Sequence, residues 1–390
     1  MRTRHTRARR GDPPMPRPFR GNRGAMTTLL TVLLCAIGAV GPAAPASAAP
    51  ARPRFLITAG TASLGISVLR VERDTTLTPV PGSPFPTGFG VLSLVASADG
   101  RTVYVPHAGD FGVSGYRLDD NGALTPIPGA AVTVGGPPTS ARLSPDGTVL
   151  FVVVGGVPGH VESFTVAPSG ALTPTGASRV AVEGLSAVGM AGVDPSGRFL
   201  RVATYIGDTV SSYAVGAGAT LTPLGTQTVR FGPVAPGYTP DGRFLYVSNE
   251  FGFDVSGYAI ADDGRLTPTP GSPYPTGGVP HGAVASADGS RLYVPNAVGS
   301  SIAGFAVGAD GALTPLPGSP YPAPAGTMPG QVALDPDGRH LYLVDVLTAQ
   351  ITTRVHTYTI DPDGALTHTG RDPVDTGVFM SDGPVAVLTR

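Results

Sequence analysis

The chain has 390 residues with a formal net charge of −1, a single cysteine, 55 glycines and 42 prolines. All 26 basic residues are arginine and no basic run follows residue 48, which argues against nucleic acid or an anionic membrane as a partner. One cysteine permits no internal disulfide and no thiolate metal site.

The first 48 residues differ in composition from the rest. Eight arginines precede an apolar run from Leu29 to Val40, followed by Ala46-Ser47-Ala48. An arginine-rich start, a short apolar run and small residues at a cleavage site predict a secretory signal peptide, residues 1–48. The apolar run is shorter than the roughly 20 residues needed to span a bilayer, and no later segment is long and apolar enough. Arg9-Arg10 keeps a twin-arginine route open beside general secretion. Cleavage would remove eight of the 26 basic residues but one of the 27 acidic ones, and Cys35 with them. The predicted product, residues 49–390, is acidic, free of thiols and secreted.

From residue 50 onward one unit recurs. Leu-Thr-Pro stands at Leu77, Leu124, Leu172, Leu221, Leu266 and Leu313, with Leu366-Thr367-His368 as a seventh copy, at spacings of 47, 48, 49, 45, 47 and 53. A turn marker falls six times, at Asp99-Gly100, Asp146-Gly147, Ser196-Gly197, Asp241-Gly242, Asp288-Gly289 and Asp337-Gly338. Between the markers lie short alternating runs such as Phe244 to Ser248 and Val255 to Ile260, which is strand grammar with Asp-Gly turns. A period near 48 with four strands per unit is the spacing of a β-propeller, whose blades bury their faces only by stacking in a ring. Seven of one marker and six of the other imply that one blade is shared. The chain starts at a second strand, Arg54 to Thr58, and ends on an orphan strand, Pro384 to Thr389. The reading is an all-β, seven-bladed propeller, residues 49–390, closed by pairing N-terminal and C-terminal strands in one blade. Pro-Gly-Ser-Pro-aromatic-Pro at Pro81 to Pro86, Pro270 to Pro275 and Pro317 to Pro322 is expected to blunt the perimeter strands.

The run Pro240-Asp241-Gly242-Arg243-Phe244-Leu245-Tyr246-Val247-Ser248-Asn249 and the segment Gly278-Val279-Pro280-His281-Gly282 resemble the seven-bladed lactonase-type propellers, with their 6-phosphogluconolactonase and carboxymuconate-cyclase relatives, and the YVTN-type surface propellers. The resemblance implies a site at the mouth of the central channel. Enzymatic relatives pair an Arg-His before an inner strand with an Asn-Glu after the second strand of the same blade. Here Asn249-Glu250 follows Ala235-Pro236-Gly237-Tyr238, His281 stands one blade further on, and no arginine adjoins it.

The column after the second strand reads Gly60, His107, Val154, Thr204, Asn249, Asn296 and Asp345. Lactone hydrolysis needs a base and donors for the developing oxyanion. Glu250 and His281 are therefore the catalytic candidates, with Asp345 a second possible base. Asn249, Phe251, Phe253, Asn296, Asp345 and His107 are the ligand-binding candidates, the phenylalanines because aromatic rings give contact area at low entropy cost. Phe89, Phe111, Tyr205 and Tyr238 are further aromatics expected near loops. Polar residues at loop mouths also cap exposed backbone, which is the competing reading of the column. No metal site is expected: His160, His340 and His356 lack ligand spacing, and Asp335-Pro336-Asp337-Gly338 does not continue as a calcium loop. Gly184 to Gly189 is one residue too long for a nucleophile elbow, and no cofactor fingerprint is present. Two function classes stay open for a monomeric secreted protein. One is a module binding a ligand, a carbohydrate or an extracellular protein through the channel mouth; the other is an extracellular lactone hydrolase acting on an unphosphorylated sugar lactone.

Overall fold

The computed structural model describes residues 52–177, 179–182, 189–346, 352–380 and 387–389. The predicted leader lies outside the described residues. Those described form seven antiparallel sheets, with one 3-10 turn at Ala217–Ala219 as the only helical element among them.

The fifth blade shows the plan. Its inner strand Pro233–Tyr238 turns at Asp241-Gly242 into the second strand Phe244–Asn249, which pairs with the third, Asp254–Ile260, and that in turn with Leu266–Pro268. Asp241 accepts the Arg243 amide through its carboxylate while Gly242 takes φ 70°, so the turn is built by side-chain capping and a left-handed glycine. The chain then returns, and Tyr274–Pro275 pairs with the start of the third strand.

This return divides the perimeter edge at its prolines. Proline breaks the ladder, so the outer edge is two short pieces on one third strand. Between them a serine of the Pro-Gly-Ser-Pro motif stands in for the missing partner. Ser83, Ser272 and Ser319 accept the amides of Val68, Gly257 and Gly304, each at 2.9 Å, and each precedes a cis proline. In the fourth blade the outer strand Leu221–Thr228 is instead continuous.

One sheet draws on both chain ends. Arg54–Ala59 pairs with Gly65–Val71 on one side and with Val387–Leu388 on the other, where Leu56 is in register with Leu388 and Ile57 with Val387. Thr389 donates its amide to the Phe55 carbonyl and accepts the Phe55 amide on its hydroxyl, both at 2.9 Å.

Apolar side chains of adjacent blades fill the seams. Phe244 and Tyr246 of the fifth blade, for example, pack with Leu292, Val294 and Phe305 of the sixth. A polar latch crosses several of these seams. The second-strand tyrosines Tyr104, Tyr246 and Tyr293 donate to the carbonyls of Gly170, Gly311 and Gly364, turn glycines of the next blade, at 2.7, 2.8 and 2.9 Å. Burial pushes Tyr104 and Tyr293 up to about 12, which keeps their hydroxyls protonated as donors. In the fourth blade the buried Arg201 fills the role, reaching the Gly264 carbonyl at 2.8 Å with Phe199 and Tyr238 against its guanidinium. Gly311 is required twice over, by φ 80° and because a Cβ there would stand 2.4 Å from the Phe244 ring. Replacing Tyr246 by Phe should cost about 1 to 3 kcal/mol in urea unfolding, since the Gly311 carbonyl would be left buried and unpaired.

At the seam between the seventh blade and the composite one, Arg54 pairs with the buried Asp335, which also accepts the Tyr342 hydroxyl at 3.3 Å and the Asp337 amide at 3.1 Å. Asp335, Asp337 and His340 do bring ligand atoms within 4.8 Å of one another. With a guanidinium already on Asp335, the group serves as an ion-paired joint between blades.

Candidate functional site

Among the described residues, the hairpin loops between second and third strands and the connections from one blade to the next emerge at the same end of the propeller, as antiparallel pairing requires. The candidate site is built from three such segments and one inner strand. Glu250 follows the last residue of the second strand in the fifth blade, and its amide is held by the Gly232 carbonyl at 2.9 Å. Tyr205 comes from the hairpin loop of the fourth blade, His281 from the connection between the fifth and sixth. Gln331 on the inner strand Pro329–Leu334 donates to the His281 carbonyl at 2.8 Å.

These segments converge on one carboxylate. Glu250 Oε1 lies 2.7 Å from His281 Nδ1, and Oε2 accepts the Tyr205 hydroxyl at 2.6 Å. Both members of the Glu250–His281 pair are largely buried, with side chains 7% and 11% exposed. Their separation along the chain is 31 residues. The pair forms because the Val279-Pro280-His281 turn, bridged by Pro280 to Asn296, enters beside the fifth-blade loop. A buried carboxylate in contact with an imidazole can exchange a proton with a bound reactant, and the tyrosine hydroxyl fixes its orientation.

The aromatic residues stand beside this pair. The Phe251 ring lies 5.8 Å from Tyr205 and 5.0 Å from Phe231, centroid to centroid. Gly232, at φ 72°, makes room: a Cβ there would come within 2.9 Å of Phe251. Phe253 is exposed on the same loop. Arg230, the cation of this neighbourhood, pairs with Asp254 at 2.6 Å. Burial nevertheless pushes the Asp254 carboxyl up, against the pull of Asn249 and Arg230.

The remaining candidates are placed otherwise. Asn249 is fully buried and donates to Asp254 at 2.8 Å and Ser256 at 2.9 Å, tying its own hairpin. Asn296 does the same with Ser301 at 3.2 Å and the Thr276 carbonyl at 3.1 Å. His107 contacts Asp110 through Nδ1 and Ser114 through Nε2. Asp345 accepts the Arg354 amide at 2.7 Å, with His356 3.6 Å from its other oxygen. Apart from the Asn296 bond to Thr276, on the connection that carries His281, these contacts belong to the hairpin that carries each residue. Tyr238, expected among the loop aromatics, instead lies on an inner strand, where it packs against Arg201 and donates to the Gly192 carbonyl at 3.2 Å. Gly184 to Val188 lie outside the described residues. Sequence reasoning named Tyr205 only as an aromatic and passed over Phe231. The signal for Phe231 was its place in Arg230-Phe231-Gly232, a connection at the same end as the Glu250 loop.

Residues 54–381 match the family described as Lactonase, 7-bladed beta-propeller. The chain belongs to this family. No match was found among curated proteins by sequence. Among solved structures, a candidate 6-phosphogluconolactonase from Bacteroides fragilis superposes with a TM-score of 0.72 at 20% identity, over 88% of this chain and 100% of the other. The periplasmic gluconolactonase of Pseudomonas aeruginosa gives 0.70 at 22% identity, over 87% and 99%. A protein from Lactobacillus plantarum gives 0.71 at 21% identity, over 87% and 100%. At these identities the likeness establishes the shared fold, so the chemistry of this lactonase propeller rests on its own residues.

Proposed function

We propose that this chain is an exported lactone hydrolase acting on an unphosphorylated sugar lactone. The observation that carries the proposal is the Glu250 carboxylate held between His281 Nδ1 and the Tyr205 hydroxyl. In this reading the pair takes a proton from water as its oxygen bonds to the lactone carbonyl carbon. It returns that proton to the ring oxygen when the carbon–oxygen bond of the ring breaks. Membership of the lactonase family supports the reaction class, and the predicted leader supports a substrate outside the cytoplasm, where phosphorylated sugar lactones are not expected.

Exposed Phe251 and Phe253 beside the pair favour a second reading, a binding module for a carbohydrate or protein. The two readings part in one experiment. Purified residues 49–390 are offered a panel of sugar lactones with and without phosphate, and acid release is followed by titration. Turnover of an unphosphorylated member supports the hydrolase. No turnover of any member rejects it and leaves the binding module, in which Phe251→Ala should weaken ligand capture more than Glu250→Gln.

A further inference from the structure

The large apolar side chains left exposed in this protein are distributed with a strong bias. Of the eleven among the described residues, Leu224 alone sits on an outer strand. The other ten lie at the end of the propeller that carries the hairpin loops and blade connections, and they are between 39% and 72% exposed. Six blades each contribute at least one from a hairpin loop: Leu64, Phe111, Val157, Ile206, Phe253 and Val298. The connections add Phe89, Phe231 and Met328. The opposite end is polar, its turns written with residues such as Asp99-Gly100-Arg101, Asp241-Gly242-Arg243 and Asp262-Asp263.

Charge follows the same division. Among the described hairpin loops and connections of the apolar end, the charged side chains are Asp110, Asp208, Arg230 and Glu250. Each is held: Asp110 by His107, Asp208 by the Gly232 amide, Arg230 by Asp254, and Glu250 by His281 and Tyr205. Backbone geometry adds a third observation. Phe111 and Phe253 occupy corresponding loop positions at φ 54° and 56°, a left-handed conformation that a bulky residue adopts against steric resistance. The matching positions in two sister loops, also left-handed, carry Asp208 and Ser300, which suit solvent. Placing phenylalanine there is unfavourable for the backbone and for exposure alike, the kind of outlier that accompanies function.

We propose that this end of the propeller docks onto an uncharged lipid surface, with the apolar tips inserted around the channel mouth. The shape decides between occupants. A shaped protein partner packs against grooves and clustered anchors, whereas, outside the Phe231, Phe251 and Phe253 group beside Glu250, the other seven stand on separate loops or connections, near glycines such as Gly109, Gly156 and Gly299. Isolated apolar tips spread around a ring fit a deformable apolar medium, which seats each tip without a pocket of its own. The held charges and the acidic remainder of the chain disfavour an anionic surface.

Flotation of purified residues 49–390 with phosphatidylcholine vesicles tests this. The protein is expected to float with the vesicles, to stay bound in 1 M sodium chloride, and to lose at least tenfold in bound fraction in the triple variant Phe111→Ser, Val157→Ser, Val298→Ser. These three residues touch neither Glu250 nor His281 and are exposed, so the variant's melting temperature should match that of the unsubstituted protein. Three results would each overturn the proposal: no flotation, flotation that requires phosphatidylglycerol and is released by salt, or a doubling of mass in sedimentation that the triple variant abolishes.

Discussion

Under the proposed hydrolase reading, Glu250→Gln is expected to lower kcat by about 10²-fold or more on any lactone that is turned over, as loss of a proton-transferring group does. The substitution keeps the shape of the side chain and an oxygen able to accept the Tyr205 hydroxyl. It removes the negative charge that faces His281 at 2.7 Å. Binding should change little, so KM should hold while kcat falls. Tyr205→Phe should do less to kcat and should move the pH profile, because the hydroxyl orients the carboxylate and touches no reacting atom. Steady-state kinetics beside thermal melting separates these effects. A Gln variant with unchanged kcat would remove Glu250 from the chemistry, and one that had lost its fold would show it in the melt.

The second large effect concerns the last strand. Removing Gly383 to Arg390 takes away Val387–Leu388 and Thr389, the partners of Ile57, Leu56 and Phe55. Arg54–Ala59 would then carry an open ladder edge facing the interior, and the neighbouring inner strand Pro329–Leu334 would lose contact with Val387–Leu388. The loss should exceed the roughly 0.5 to 3 kcal/mol of an ordinary substitution. The truncated protein should melt far lower or aggregate through the unpaired edge. Unchanged melting would show that the ring holds without this strand.

The fold could be read because its determinants are local and repeated. Asp-Gly turns, alternating runs and Leu-Thr-Pro recur often enough to correct one another, and a missing copy of one marker pointed to a shared blade. The outer edge was legible only as far as the prolines that blunt it. Pro-Gly-Ser-Pro signals where a ladder must stop, yet nothing in the motif says that a serine hydroxyl will take the place of a carbonyl and let pairing resume. The site was legible in part. Glu250 and His281 could be matched as loop positions in consecutive blades, but the column rule treated Asn249, Asn296 and Asp345 as equals of Glu250, and these residues turn back into their own strands. One residue along the chain separates a hairpin tie, Asn249, from the candidate carboxylate, Glu250, and periodicity alone does not resolve such a step. Tyr205 reaches Glu250 from the preceding blade, a contact that depends on how far one sheet is rotated against the next.

The tyrosine latches make the seven seams unequal. Where Tyr246 stands in the fifth blade, the third has Phe151 and the composite blade has Leu56, neither of which carries a donor. At the seam of the third and fourth blades other donors take over, Thr139 to the Gly189 carbonyl at 2.6 Å and Tyr213 to the Ala181 carbonyl at 2.9 Å, so amide exchange should be fastest where the composite blade meets the second, a seam Arg70 crosses from the exposed side. Arg201, Tyr246 and Tyr293 bolt together the fourth, fifth, sixth and seventh blades in an unbroken arc. Tyr205, Glu250, His281 and Gln331 are all mounted on that arc, so the candidate carboxylate and imidazole are carried by the part of the ring whose consecutive seams are all latched.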